Sequence, residues 1–141
     1  MSDIANIKPI ERKVEILHPA SGQPIGLRIG IVSISDERLA RQKRAFRDEV
    51  NRLSSKGKYL KAEQEEVNNH SLLFAATTGW EWYNPTGKEG DEGYDADAMP
   101  SFHGSVPDYT QKNVIAVAKE LPWVQSQLVT EIDEEKSFFT I

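Results

Sequence analysis

Apolar positions along the chain change period several times, and each change marks an element. Val14 and Ile16 alternate with Lys13 and Glu15, the period of two that belongs to a half-buried strand. Leu27, Ile29 and Ile31 repeat the pattern, with Val32 and Ile34 on the other parity, and their β-branched content favours a second strand. Between the two runs, His18-Pro19-Ala20-Ser21-Gly22-Gln23-Pro24-Ile25-Gly26 carries turn chemistry: the prolines fix φ and the glycines admit positive φ. Together they predict a β-hairpin with a long loop. A lone hairpin is marginal, so it must pack on helices or pair with another chain.

The period then lengthens. Leu39, Phe46, Val50 and Leu53 share one face of a helix predicted over 36–53, opened by a capping-box-like Ser33 and Asp36 and ended near Gly57. Leu60, Val67 and Phe74 repeat every seven residues, widened by Tyr59, Leu73 and Ala76. That stripe predicts a second helix over 58–78, broken by Gly79, with Trp80-Glu81-Trp82-Tyr83 following at once. Residues 84–107 are rich in glycine, proline and acids and read as an irregular, mobile loop. Asp108 with Gln111 caps a third helix carrying Val114, Ile115, Val117, Ala118 and Leu121. Pro122 ends it or opens a fourth, over 123–136, with Trp123, Val124, Leu128 and Ile132 facing inward. Phe138, Phe139 and Ile141 form an apolar tail that either docks into the core or meets a partner. Residues 1–10 are a flexible arm, and 11–141 a single α+β domain: an N-terminal β-hairpin packed on about four helices.

Composition narrows the class. At 141 residues, 38% apolar and 28% charged, the chain has the balance of a soluble globular domain. No apolar run is long enough to span a membrane, and the N-terminus has no basic start followed by an apolar stretch. Absence of cysteine removes disulfides, thiolate catalysis and cysteine zinc sites, and fits a reducing cytoplasm. The net charge of −5 is unevenly spread: residues 1–62 hold 13 Lys/Arg against 7 Asp/Glu, and the remainder 4 against 15. Such a split fits self-association, internal pairing, a basic face for an acidic partner, or plain solvated surface.

The inventory for chemistry is thin. His18, His70 and His103 are far apart in sequence and none has ligand spacing, so no metal is predicted and each reads as a surface or packing residue. Neither GxxxxGK nor GxGxxG occurs, so no phosphate-binding cofactor is predicted. Glu89, Asp91, Glu92, Asp95 and Asp97 lack the spacing of a calcium loop. No catalytic residues emerge, and the chain reads as a non-enzyme. Arg41, Arg44 and Arg47 lie opposite Leu39, Phe46 and Val50 and could contact phosphates, but the chain as a whole is acidic and has no nucleic-acid module. Pairing of these arginines with an acidic protein surface is the more economical reading. In an extended Trp80-x-Trp82 the two indoles are expected on opposite sides, one of them free as a binding anchor. The plainer alternative is that both complete the core. The candidate partner-binding residues are therefore Arg41, Arg44, Arg47, Trp82, Phe138 and Phe139.

The order of these features resembles the phage tail assembly chaperones of long-tailed bacteriophages. Carrying the resemblance are Val14-Glu15-Ile16-Leu17-His18 leading into the Pro19-x-x-Gly22-x-Pro24 turn and the return strand over 27–34. Ser33-Ile34-Ser35-Asp36 before an Arg-rich helix with Phe46, and Thr77-Thr78-Gly79-Trp80-Glu81-Trp82, are similar too. So are Tyr109-Thr110-Gln111-Lys112-Asn113, Leu121-Pro122-Trp123-Val124 and the final Phe138-Phe139. It covers about residues 13–83 and 107–139; the 84–106 segment is expanded. The resemblance implies a protein without catalytic activity that coats the long apolar tape measure protein in the host bacterial cytoplasm until tail tube subunits polymerise around it. It also implies homo-oligomers, a possible contact with the major tail protein, a frameshifted longer product, and absence from the mature virion. The competing readings are a structural virion component, such as a tail or head-tail connector protein, and a small DNA-binding regulator.

Overall fold

A computed structural model describes residues 3–134, 138 and 139. Three strands, β1 (Arg12–Leu17), β2 (Pro24–Ile31) and β3 (Thr77–Trp82), form an antiparallel sheet in the order β1-β2-β3. Four helices complete the α+β fold: α1 (Glu37–Ser55), α2 (Ala62–Ala75), α3 (Gln111–Glu120) and α4 (Pro122–Asp133). The N-terminal hairpin is present, with Val14 opposite Ile29. Its loop is closed by the His18 amide donating to the Gln23 carbonyl at 2.8 Å. Gly26 sits at φ +94° within a bulge of β2, where a Cβ would lie 2.1 Å from the Tyr83 carbonyl oxygen, so only glycine fits.

Alternation dictates which sheet face is dry. Val14 and Ile16 of β1 and Leu27, Ile29 and Ile31 of β2 are buried together. Against them pack Val117 and Ala118 of α3, Val124, Leu128 and Ile132 of α4, and Leu73 of α2. Each such fully buried aliphatic side chain contributes about 1.5–3 kcal/mol. Phe138 joins this core and is 0% exposed. It belongs to the body and is no partner anchor. Ile141 lies outside the described residues.

Two expectations fail here. The second helix stops at Ala75, and residues 77–82 are a strand paired with β2 (Ile29 opposite Trp80). Thr77, Thr78, Trp80 and Trp82 are strand formers, and the Thr77 hydroxyl donates to the Phe74 carbonyl at 2.7 Å, closing the helix end. In a strand, residues two apart share a face. The Trp80 and Trp82 rings accordingly lie on the same side, 5.4 Å apart in an edge-to-face contact, rather than on opposite sides.

The caps are also redistributed. Asp36 itself caps α1, its carboxylate accepting from the Arg38 amide at 2.9 Å, and Thr110 rather than Asp108 caps α3. Pro122 stands in the first turn of α4. The outer edge of the hairpin is capped at its Leu17 end. β3 covers β2, while on β1 the Gln127 side-chain amide accepts from the Leu17 amide and donates to its carbonyl, each at 2.8 Å. Beside this, the Ile10 amide donates to the Phe138 carbonyl at 2.7 Å, and Arg12 pairs with Glu131 at 2.9 Å.

The 84–107 segment is irregular, as its composition predicts, and is organised by its own side chains. The Asn84 amide donates to the Asp95 carbonyl and the Asp95 amide to the Thr86 hydroxyl. Asp91 and Asp95 accept from backbone amides of Lys88 and Asp97, so these carboxylates serve turns.

Candidate functional site

Burial falls away abruptly in the middle of the chain. Leu39 is buried at 3% and His70 at 7%, and no residue from 40 to 69 is buried. This stretch holds most of α1, the connecting turn and the first half of α2. It is an αα-hairpin, with α1 packed chiefly on α2. Its helices are well made: Asp36 caps one, and the Lys61 amide donates to Gln64 at the start of the other. What it lacks is cover. Val50 is 37% exposed, Val67 64% and Tyr59 90%, so of the Leu60, Val67 and Phe74 stripe only the two ends are partly covered and Val67 is bare. At the root of this helical hairpin, called the arm from here on and distinct from residues 1–10, an apolar groove of about 320 Å³ runs between α1, α2 and α4, lined by Ile34, Leu39, Leu72 and Val129 with Lys43 and Asp133.

Charge on the arm is sorted by helix. α1 carries six Lys/Arg against three Asp/Glu, and α2 carries three glutamates and no Lys or Arg. Three arginines pair locally: Arg38 with Asp36 at 3.9 Å, Arg44 with Glu37 at 3.4 Å, and Arg52 with Glu49 at 2.6 Å. The hydrogen bond from Arg52 holds the Glu49 carboxyl below the usual carboxylate range, and the same bond raises Arg52. Arg41, Lys43 and Arg47 make no ion pair among the described residues, and neither do Glu63, Glu65 and Glu66. The two halves of the chain do meet elsewhere. Arg28 on the outer sheet face bridges Glu15 at 2.8 Å and Glu81 at 3.2 Å over the Tyr83 ring, and its pKa is raised, chiefly by the Glu15 hydrogen bond.

The six predicted partner-binding residues therefore separate. Arg41, Arg44 and Arg47 are exposed together on the arm. Trp82 is half-buried, packed against the core with Trp80, and its buried indole nitrogen has no partner within the described chain. Trp80 in turn meets Tyr109, which stacks on Phe74 and shares a hydrogen bond with Thr77 at 2.7 Å. Phe138 is core, and Phe139 is half-buried beside it in the chain. The exposed Tyr59 and Val67 are the residues that periodicity assigned to the interior; their neighbours Glu63, Glu65 and Glu66 were the signal of a solvated helix face.

The histidines stay apart. His18 accepts from the Ala20 amide at 3.1 Å within the hairpin turn, His103 contacts Glu120 at 2.7 Å, and His70 is buried on α2. Among the described residues, no group of three His, Cys, Asp or Glu stands close enough to hold a metal ion, and no helix is long and apolar enough to cross a membrane. No family model matches the chain, and no curated protein or solved structure matches it.

Proposed function

We propose that the chain is a non-enzymatic chaperone of phage tail assembly, which binds the tape measure protein in the host bacterial cytoplasm and keeps it soluble until the tail tube forms. The uncovered arm carries this reading. A domain that buries a core of its own yet leaves thirty consecutive residues of a helical hairpin without a buried position offers a surface suited to another protein. Exposed Val50, Tyr59 and Val67 offer apolar contact, and the flanking cations give orientation and on-rate. A long, apolar, helical partner suits such a hairpin, and the order of elements that resembles the tail chaperones supports the same choice.

Co-expression with the tape measure protein of the same phage tests it. The tape measure protein is expected to move into the soluble fraction and to co-purify with this chain. Unchanged solubility without co-purification would sink the proposal, and abundance of the chain in purified mature particles would make it a structural virion component instead.

A further inference from the structure

A second cleft at the root of the arm shares no lining residue with the apolar groove. It holds about 550 Å³ between α1, the end of α2, the start of β3, Tyr109 and Gln111. Helical spacing builds its walls: Arg38, Arg41 and Gln42 fall on one face of α1, and Ser71 and Phe74 on one face of α2. Two guanidinium groups line it and no carboxylate does. Arg41 makes no ion pair among the described residues, and Arg38 meets the Asp36 carboxylate only at 3.9 Å. Phe74 and Tyr109, stacked 5.4 Å apart, give one wall an apolar surface. Thr77 gives its single hydroxyl proton to the Phe74 carbonyl, so Tyr109 must donate to Thr77 and keeps only lone pairs for a ligand. We infer that this cleft binds an acidic side chain of a protein partner. Its carboxylate lies between Arg38 and Arg41, its stem against the Phe74–Tyr109 pair, and a main-chain N–H of the same segment donates to the Tyr109 oxygen. Guanidinium groups match a carboxylate in fork geometry. A phosphodiester carries acceptors only and would set one of them against the Tyr109 oxygen, so a polypeptide is favoured over nucleic acid. The cleft also selects among the basic residues of α1. Arg44 holds Glu37 at 3.4 Å, Arg47 lies about half a turn from Arg38 at about 100° per residue, and neither lines the cleft.

This inference rests on reading the arm's end of the molecule as a surface for another protein, and it adds the chemistry that partner must present. Fluorescence anisotropy of the full chain tests it with three labelled probes: a short peptide alternating glutamate and alanine, its glutamine counterpart, and a DNA duplex. The wild-type chain is expected to bind the glutamate peptide, to release it as salt rises, and to leave the glutamine peptide free. The double variant Arg38→Gln, Arg41→Gln is expected to weaken binding by about tenfold or more. The double variant Arg44→Gln, Arg47→Gln removes the same charge from outside the cleft and is expected to weaken it by less than about threefold. All four arginines are exposed, and circular dichroism checks that each variant keeps its helices. Failure to bind the glutamate peptide, equal losses from the two double variants, or tighter binding of the DNA duplex through Arg38 and Arg41 would each overturn the inference. Equal capture of the tape measure protein by the wild type and the Arg38→Gln, Arg41→Gln variant would also overturn it and leave the proposed function standing. Glutamate peptide held through Arg38 and Arg41, with no capture of the tape measure protein, would keep the cleft and remove the proposed function.

Discussion

The body and the arm are made of the same materials and end in opposite conditions. In the body, Ile16, Ile29 and Ile31 meet Val124, Leu128 and Phe138, and every one of these is essentially removed from water. In the arm, Phe46, Val50, Leu53 and Val67 sit at equally regular helical spacing, and none is buried. Regular spacing makes a helix amphipathic; whether its apolar face finds cover depends on what tertiary structure places opposite. Here the sheet has one dry face, and α3, α4 and the tail fill it, leaving nothing for the outer two-thirds of α1. Burial is therefore concentrated in the body and exposed apolar surface in the arm.

Substitution at the centre of the body gives the largest contrast. Ile29→Ala is expected to cost about 2–5 kcal/mol in chemical denaturation, because the sheet cannot collapse around the lost side chain. A loss below about 1 kcal/mol would mean that the sheet is not the core. Removing the edge seal should matter less: Gln127→Ala deletes two hydrogen bonds to Leu17 and is expected to cost about 1–2 kcal/mol, with faster hydrogen exchange at the Leu17 amide. In the arm, Val67→Ser is expected to change stability by no more than about 0.5 kcal/mol while reducing capture of the tape measure protein. Equal losses from Val67→Ser and Ile29→Ala would erase the distinction between the two regions. The smallest effect concerns pH. Glu49 is held below the ordinary carboxylate range by Arg52, so its contribution is present above that range and fades as pH falls through the lowered value. Glu49→Gln should flatten this part of an acid titration of α1 helicity, and an unchanged profile would show the pair to be inert.

Much of the body was legible from local pattern. Val14 and Ile16 against Lys13 and Glu15 located β1, and Val124, Leu128 and Ile132 located the inward face of α4. The third strand was not, because the heptad of Leu60, Val67 and Phe74 extends smoothly into Ala76 and hides the switch of period at Thr77. Trp80 and Trp82, two apart, were the surviving mark of a strand. Phe138 was legible only as an alternative, core or partner contact, because its place depends on a long-range contact with Ile10 that no local period encodes. The arm was legible as helices but not as an exposed surface, since Val67 reads the same on a covered and an uncovered stripe. Among the candidate residues, the arginines held their exposure and the aromatics did not, as expected when charge resists burial and rings seek it.

Gln127 also sets a clock. It stands 110 residues downstream of the Leu17 edge position it caps, so the hairpin is made well before its cap. At about 5–20 residues per second, the ribosome leaves that edge unsealed for about 5–20 s after the hairpin emerges. Slow codons between the hairpin and α4 would lengthen this interval, and with it the chance that two nascent chains pair through their strands before either has a native edge.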